Sequence, residues 1–481
     1  MAVRTLPSIT GDSPLEHLLR SKGFLLMALL GLHIPLALLM QRLPLVATVH
    51  ALATAAVGLG VALSGRQLER AAYMAAYVMG AEVLWHMSAA GVFYEFGDYT
   101  ICAIFLAALM RSYRLKHLVL PGLYFLMLLP STILTLASTD LADARSQISF
   151  NLSGPLALAI SAWFFSNVKL SRDQIQHAFW AALGPIVGIA TIALSGIVTA
   201  ARIVYTTTSN LSTSGGWGPD QVSAALGLGA LLAYLLILDG RVIRPLRVLM
   251  LGLMTWLAIQ SALTFSREGV YTAAGGAALA TLVLARDGRT RIRVLLLIPI
   301  VLLVVNYGIL PRLESLTQGA LGTRFQDTRV TGRDQIVGAD LALWAANPLL
   351  GVGPGDAKEL RGLAFGDVAA HIEFSRLLAE HGLFGLIAIG LILFMAVRNF
   401  WRAPTLWDKA LVSALIGCSF LMMTAAAMRV AAPALLFGLS FTLLPDPEDA
   451  AAPNPWPAPR PGEPAPRPRE PAPTALGWRG R

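Results

Sequence analysis

Along nearly the whole chain, apolar residues gather in long runs divided by brief polar breaks. An α-helix needs about 20 residues, at about 1.5 Å each, to cross the hydrocarbon layer of a bilayer. Runs suited to that length lie near 23–40, 43–64, 71–91, 100–110 with its flanks, 117–138, 148–168, 177–201, 221–239, 248–265, 269–285 and 294–310. After a polar stretch come 372–397, 409–428 and 430–444. The pattern predicts an all-α fold, a polytopic transmembrane helical bundle of 12–14 spans with a helical loop between late spans. The runs 43–64 and 430–444 also suit shallow or re-entrant segments.

Composition narrows the class without changing it. With 56% hydrophobic and 14% charged residues and a mean hydropathy of +0.64, the chain is too apolar for a soluble globule of this length. An isoelectric point near 9.8 would suit nucleic acid, but the basic residues arrive in small groups between apolar runs, as membrane topology requires. No nucleic-acid partner is expected. Cys102 and Cys418 both sit inside apolar runs, so they are expected to pack rather than form a disulfide or hold a metal. Arg4, Arg20 and Lys22 precede the first run, which is followed at once by the second with no small-residue cleavage motif between them. A retained first span is expected.

The basic groups set orientation. Arg66 with Arg70, Arg111 with Arg114 and Lys116, Lys169 with Arg172, Arg241 with Arg244 and Arg247, Arg286 to Arg293, and Arg398 with Arg402 and Lys409 fall on alternate connections. Taken as the cytoplasmic side, they put the loop 311–371 on the opposite face, the periplasm for a bacterial inner membrane. The expected layout is a cytoplasmic segment 1–22, the first part of the bundle 23–310, a periplasmic loop with helices 311–371, C-terminal transmembrane helices 372–444, and a disordered Pro-rich cytoplasmic tail 445–481.

Candidate chemistry concentrates between Thr331 and Leu386. Asp334 to Ala346 has a helical period through Ile336, Val337, Leu341 and Trp344. Asn347-Pro348 stops that helix. Gly351, Gly353, Pro354 and Gly355 then predict a tight turn that lets backbone approach a ligand or another helix. A polar segment from Asp356 to Ala370 leads to His371, placed where the run from Ile372 to Val397 leaves the membrane.

A neutral imidazole there suits the removal of a proton from an attacking hydroxyl; a structural role is the ordinary alternative for a lone histidine. Glu373 points away from His371 on a regular helix and is at most an orienting residue. Arg376 and Glu380, four apart, are expected to pair with each other, and His381 to pack or bridge helices.

Three further cations stand at boundaries on the same side. Arg267, in LTFSREGVY, lies between two spans with almost no loop. An arginine so placed faces a partner or a wet cavity and suits a phosphate, or else it snorkels or pairs with Glu268. Arg202 opens the hydroxyl- and Gly-rich segment IVYTTTSNLSTSGGWGP, where it suits an anionic diphosphate or is a simple boundary charge, and Arg333 opens the helix in the loop, as a site residue or as a solvated charge near a helix start. Arg324, Arg329, Lys358 and Arg361 add positive charge to that loop, which would draw in an anionic lipid. With no HExxH, no paired-carboxylate spacing and no phosphate-binding Walker loop on this face, a reaction without metal or cofactor is expected.

NPLLGVGPG followed by AHIEFSRLLAEHGLFGL resembles the C-terminal signature of the O-antigen ligase and O-antigen polymerase family: a Pro-Leu-Leu-Gly-x-Gly turn, a spacer, a His opening a helix, and a Glu-x-Gly-Leu-x-Gly continuation. Where the family often has Asn or Ser after that His, this chain has Ile372-Glu373. GGWGPDQ is similar to the family's Gly-x-Gly-x-Pro-Asn-Gln turn, with Asp220 in place of Asn, and the Ser-Arg at Arg267 and the Gly-Arg at Arg333 are also family features.

The resemblance implies a glycosyltransferase. Its donor would be a polysaccharide on undecaprenyl diphosphate, held by Arg267, Arg202 and Arg333. Its acceptor would be a sugar hydroxyl of lipid A core, activated by His371 as catalytic base with inversion at the anomeric carbon. A polymerase with the same site would use a lipid-linked glycan acceptor. Membrane lipids surround either enzyme. A lipid or solute transporter is a remoter reading, since charges at mid-depth are few and the polar cluster lies on one side.

Overall fold

A computed structural model of the chain describes residues 22–65, 67–112, 116–200, 203–206, 208–239, 241–326, 333–365, 372–425 and 427–442. All of these belong to one unit, Met1–Leu444; the second unit, Pro445–Arg481, lies outside the described residues, as does most of the N-terminal segment.

Helices supply the regular structure. In chain order these are α1 (Lys22–Arg42), α2 (Pro44–Ser64), α3 (Leu68–Met87), α4 (Phe96–Ser112), α5 (Val119–Leu126), α6 (Thr132–Ser138) and α7 (Leu141–Ser166). There follow α8 (Arg172–Thr199), α9 (Pro219–Leu238), α10 (Arg244–Leu263) and α11 (Glu268–Leu284). Then come α12 (Gly288–Leu303), α13 (Leu310–Leu316), α14 (Ala320–Gln326), α15 (Arg333–Ala346), α16 (Asp356–Phe365), α17 (Glu373–Arg402), α18 (Leu406–Ala425) and α19 (Ala431–Leu439). Their starts follow local chemistry. Asp140 accepts from the amides of Ala142 and Asp143 at the head of α7, and Ser171 and Gln174 cap α8 reciprocally. Pro44 and Pro219 open α2 and α9, where a missing N–H costs nothing.

Among the described residues, nine helical stretches are long and apolar enough to cross a membrane, and α11 is a shorter apolar helix. The protein is a multi-pass helical membrane protein, as expected, but fewer than twelve runs become full-length apolar helices. The run 117–138 divides into α5 and α6 around Pro130, because proline excludes helical geometry from the residue before it. The run 71–91 becomes α3, which carries Glu69, Arg70 and Glu82. The run 294–310 belongs to a stretch, Gly288–Leu316, that passes residue 310 through a π-helical turn at Val304–Ile309. Leu295, Ile300 and Leu303 on that stretch are exposed, as lipid-facing residues are.

The interior is built where α3 lies along α8, α11 along α18, and α9 against α8, α10 and α11. Phe105 and Phe164 stack with centroids 4.0 Å apart between α4 and α7, and both cysteines are buried and unbonded. Small residues allow the closest approaches: a Cβ on Gly269 would run into the Ser223 carbonyl, so α9 and α11 meet backbone to backbone. Among the described residues, alternating helix direction gathers 88–95, 203–206, 208–218, 264–267, 317–326, 333–365 and 427–430 at one end of the bundle, the loop end. Arg172 pairs with Asp408 at 3.3 Å and Arg241 with Asp173 at 3.3 Å at the other.

Candidate active site at the loop end of the bundle

Arg267 sits in the turn between α10 and α11, and that turn is held from several directions. Ser223 Oγ lies 2.9 Å from Ser261 Oγ, 3.1 Å from the Ser266 carbonyl and 3.1 Å from the Gly269 amide, which donates to it. Asn210 N donates to the Thr264 carbonyl at 3.0 Å, and Arg324 Nε donates to the Phe265 carbonyl at 3.0 Å. Phe265 has a φ of +60°, a conformation costing a non-glycine residue on the order of 1–2 kcal/mol, and it is buried against the ring of Tyr205. So much support for a strained four-residue link fixes where the Arg267 backbone leaves the bundle.

Glu268, the next residue, is buried, and neither of its oxygens accepts a hydrogen bond among the described residues. Asp220, Arg333 and Arg429 lie within its electrostatic reach. The start of α15, far along the chain, is therefore within electrostatic reach of the α10–α11 turn.

The loop helices are tied together by Asp340. Its carboxylate, on α15, accepts from Arg361 of α16 and from Ser375 Oγ of α17, the latter at 2.6 Å. Burial pushes the Asp340 carboxyl above its ordinary pKa, against the opposing pull of Ser375 and Arg361. Arg361, expected to add positive charge to the loop surface, is instead buried and neutralised by this pairing, and Arg324 is buried against the α10–α11 turn. The attractive field expected of the loop is correspondingly smaller.

The Gly-Pro turn predicted at 351–355 forms, and what it approaches is a helix. Gly351, Gly353 and Gly355 all have φ between +70° and +104°. Val352 N donates to the Ala379 carbonyl at 2.9 Å and Gly353 N to the Glu380 carbonyl at 3.0 Å. These carbonyls are available because α17 is broken at Gly382, with φ +57° and ψ −131°. Beyond the break, Leu383 N donates back to the Pro348 carbonyl at 2.8 Å. The turn thus supplies the partners that a broken helix would leave unsatisfied inside the protein.

Around this joint runs a buried polar network. Arg376 is paired with Glu373 and Glu380, both at 2.6 Å, and donates to the Asn151 carbonyl at 3.1 Å. Glu373 Oε2 also accepts from the Met428 amide at 3.4 Å. Glu82 of α3 accepts from the Ala431 amide at 2.7 Å. Gln221 donates to Tyr94 Oη at 2.6 Å and accepts from Trp217 Nε1 at 3.0 Å. Arg429, half-buried in the link between α18 and α19, is within electrostatic reach of Tyr94, Glu373, Arg376 and Glu268. Among the described residues, no three His, Cys, Asp or Glu side chains are grouped as a metal-ligand set.

Of the residues expected to act, Arg267 and Arg333 lie at the loop end around Glu268, whereas His371 and Arg202 lie outside the described residues. The Arg376–Glu380 pair forms as expected, with Glu373 as an additional partner. His381 is fully buried and ties α17 to the link between α5 and α6 through a hydrogen bond between Nδ1 and Ser131 Oγ. Arg429 escaped the sequence reading, although a lone arginine inside AAAMRVAAPALL carries the signal of a costly intramembrane charge. Glu82 and Asp340 gave no local signal, since their partners are distant in sequence.

The described residues thus form a membrane bundle whose polar interior gathers at one end, beneath a loop folded onto a broken helix. Residues 253–390 match the family model described as O-antigen ligase. The match runs from α10 through the Arg267 turn and the loop helices to the part of α17 beyond Gly382, and it assigns this region to the O-antigen ligase and polymerase family. No curated protein matches the chain.

Proposed function

We propose that the protein is a glycosyltransferase of the O-antigen ligase type. It moves a polysaccharide from undecaprenyl diphosphate to a sugar hydroxyl of lipid A core at the periplasmic face of a bacterial inner membrane. The diphosphate is already a good leaving group, so the protein must supply positioning, positive charge and a base. Arg267 and Arg333, with Arg202, hold the diphosphate. His371 takes the proton of the acceptor hydroxyl as its oxygen bonds to the anomeric carbon, and the bond from that carbon to the diphosphate breaks on the opposite face, inverting the centre.

The observation that supports this reading most is that Arg333 is within electrostatic reach of Glu268, the residue after Arg267, although Arg333 and Arg267 are 66 positions apart in sequence. Purified protein supplied with a defined lipid-linked donor and two acceptors, lipid A core and a second lipid-linked glycan, tests it. Transfer to the core that is lost in His371→Ala and Arg267→Ala is the expected result. Elongation of the lipid-linked glycan alone would reassign the protein as a polymerase, and unchanged transport of a lipid by His371→Ala would make it a carrier.

A further inference from the structure

Beside the Gly-Pro turn lies an open cavity of about 770 Å³ that the mechanism does not use. Its walls are α6, the segment Asn347–Val352 and the first turns of α16. Its volume falls within the roughly 300–1,000 Å³ of ordinary small-ligand sites. Leu134, Leu349 and Val352 form an apolar floor, while Asn347, Asp356 and Glu359 bring polar groups to the same space. Asp356 is 8% exposed. Ser138 Oγ donates to its Oδ2 at 3.0 Å, but its Oδ1 is buried without a hydrogen bond among the described residues.

We propose that this cavity is a subsite for the uncharged, hydroxyl-rich part of the glycan substrate, with Asp356 Oδ1 and Glu359 accepting from sugar hydroxyls and the leucine floor lying under a ring face. The two carboxylates disfavour a phosphate. A hydrocarbon chain would bring no donor to Asp356 Oδ1 or to Glu359. A sugar ring has both an apolar face and hydroxyl donors, and so meets both halves of the lining. The glycan's identity as substrate rests on the transferase reading above; its binding here does not require turnover.

The test uses full-length purified protein in detergent and saturation-transfer NMR with two probes: oligosaccharide released by mild acid from the parent bacterium's lipopolysaccharide, and undecaprenyl phosphate. Leu349→Trp fills the cavity from a position that is 67% exposed, so it leaves the fold intact, whereas Asp356→Ala removes the acceptor. Both are expected to weaken oligosaccharide binding roughly tenfold or more, while Arg267→Ala leaves it unchanged, and undecaprenyl phosphate binds the unaltered protein, Leu349→Trp and Asp356→Ala alike. Oligosaccharide binding that is absent in the unaltered protein, or equal in it and both variants, overturns the proposal. So does a loss confined to undecaprenyl phosphate, which would make the cavity a lipid groove. If transfer fails while the oligosaccharide result holds, the subsite stands and the transferase reading does not.

Discussion

Asp340→Ala should release the loop helices while leaving the bundle assembled. Asp340 and the Arg361 side chain are 0% and 2% exposed, so the substitution leaves a guanidinium buried without its counter-charge and removes the Ser375 hydrogen bond. Removing one partner of a buried pair costs about 3–5 kcal/mol. If α16 opens as a local unit, that raises its open population at least about a hundredfold. Hydrogen exchange of the 356–365 amides in the purified protein reads this directly, with the amides of α9 as an unaffected reference.

Asp340→Ala combined with Arg361→Leu should recover most of the protection, because an apolar pair of similar volume replaces the ionic one without stranding a charge. Two outcomes refute the reasoning. Exchange in Asp340→Ala equal to that of the unaltered protein would mean that Asp340 does not hold the loop. Exchange in the double variant as fast as in the single one would place the cost elsewhere than in the unpaired guanidinium.

Gly351→Ala should misfold or aggregate on size-exclusion chromatography, since its Cβ would lie 2.5 Å from the Ala379 carbonyl at a φ of +70°; Gly362→Ala, with nothing within 4 Å, should be tolerated and serves as its control. Arg333→Ala and Arg267→Ala should each lower kcat/KM for a lipid-diphosphate donor by roughly 10- to 150-fold, with lysine at either position restoring only part because it lacks the planar donor fork. Arg429→Gln should cut transfer at least about tenfold with normal expression and elution; full activity would show that this arginine serves packing alone. Ser131→Ala should lower thermal stability by about 1–2 kcal/mol by stranding His381, measured as the melting midpoint in detergent.

The sequence was most informative where structure is made by neighbours. Long apolar runs became helices, Asn347-Pro348 ended α15 at Ala346, and the four-residue spacing of Arg376 and Glu380 foretold their pairing. It was silent where partners are far apart. Nothing local marks Asp340 as the tie to Arg361 and Ser375, or Glu82 as the acceptor for Ala431. Gly382 was hidden differently: the apolar period of α17 continues across it, so the break is visible only once the 351–353 backbone is seen to need the carbonyls that it frees. Pro130 is a clear local signal for the division between α5 and α6, set inside a run whose leucines alone suit a single span.

The joint between the Gly-Pro turn and the broken helix is stitched by peptide groups alone. Its strength therefore depends on which positions lack a Cβ, at 351, 353, 355 and 382, and is nearly indifferent to the side chains of the residues between them. Leu349, Leu350 and Val352 contribute backbone or position to the seam and also line the adjoining cavity. One short segment thus separates two jobs, with the scaffold written in glycines and the cavity wall in exchangeable aliphatics, so that substrate preference can be retuned there without loosening the frame.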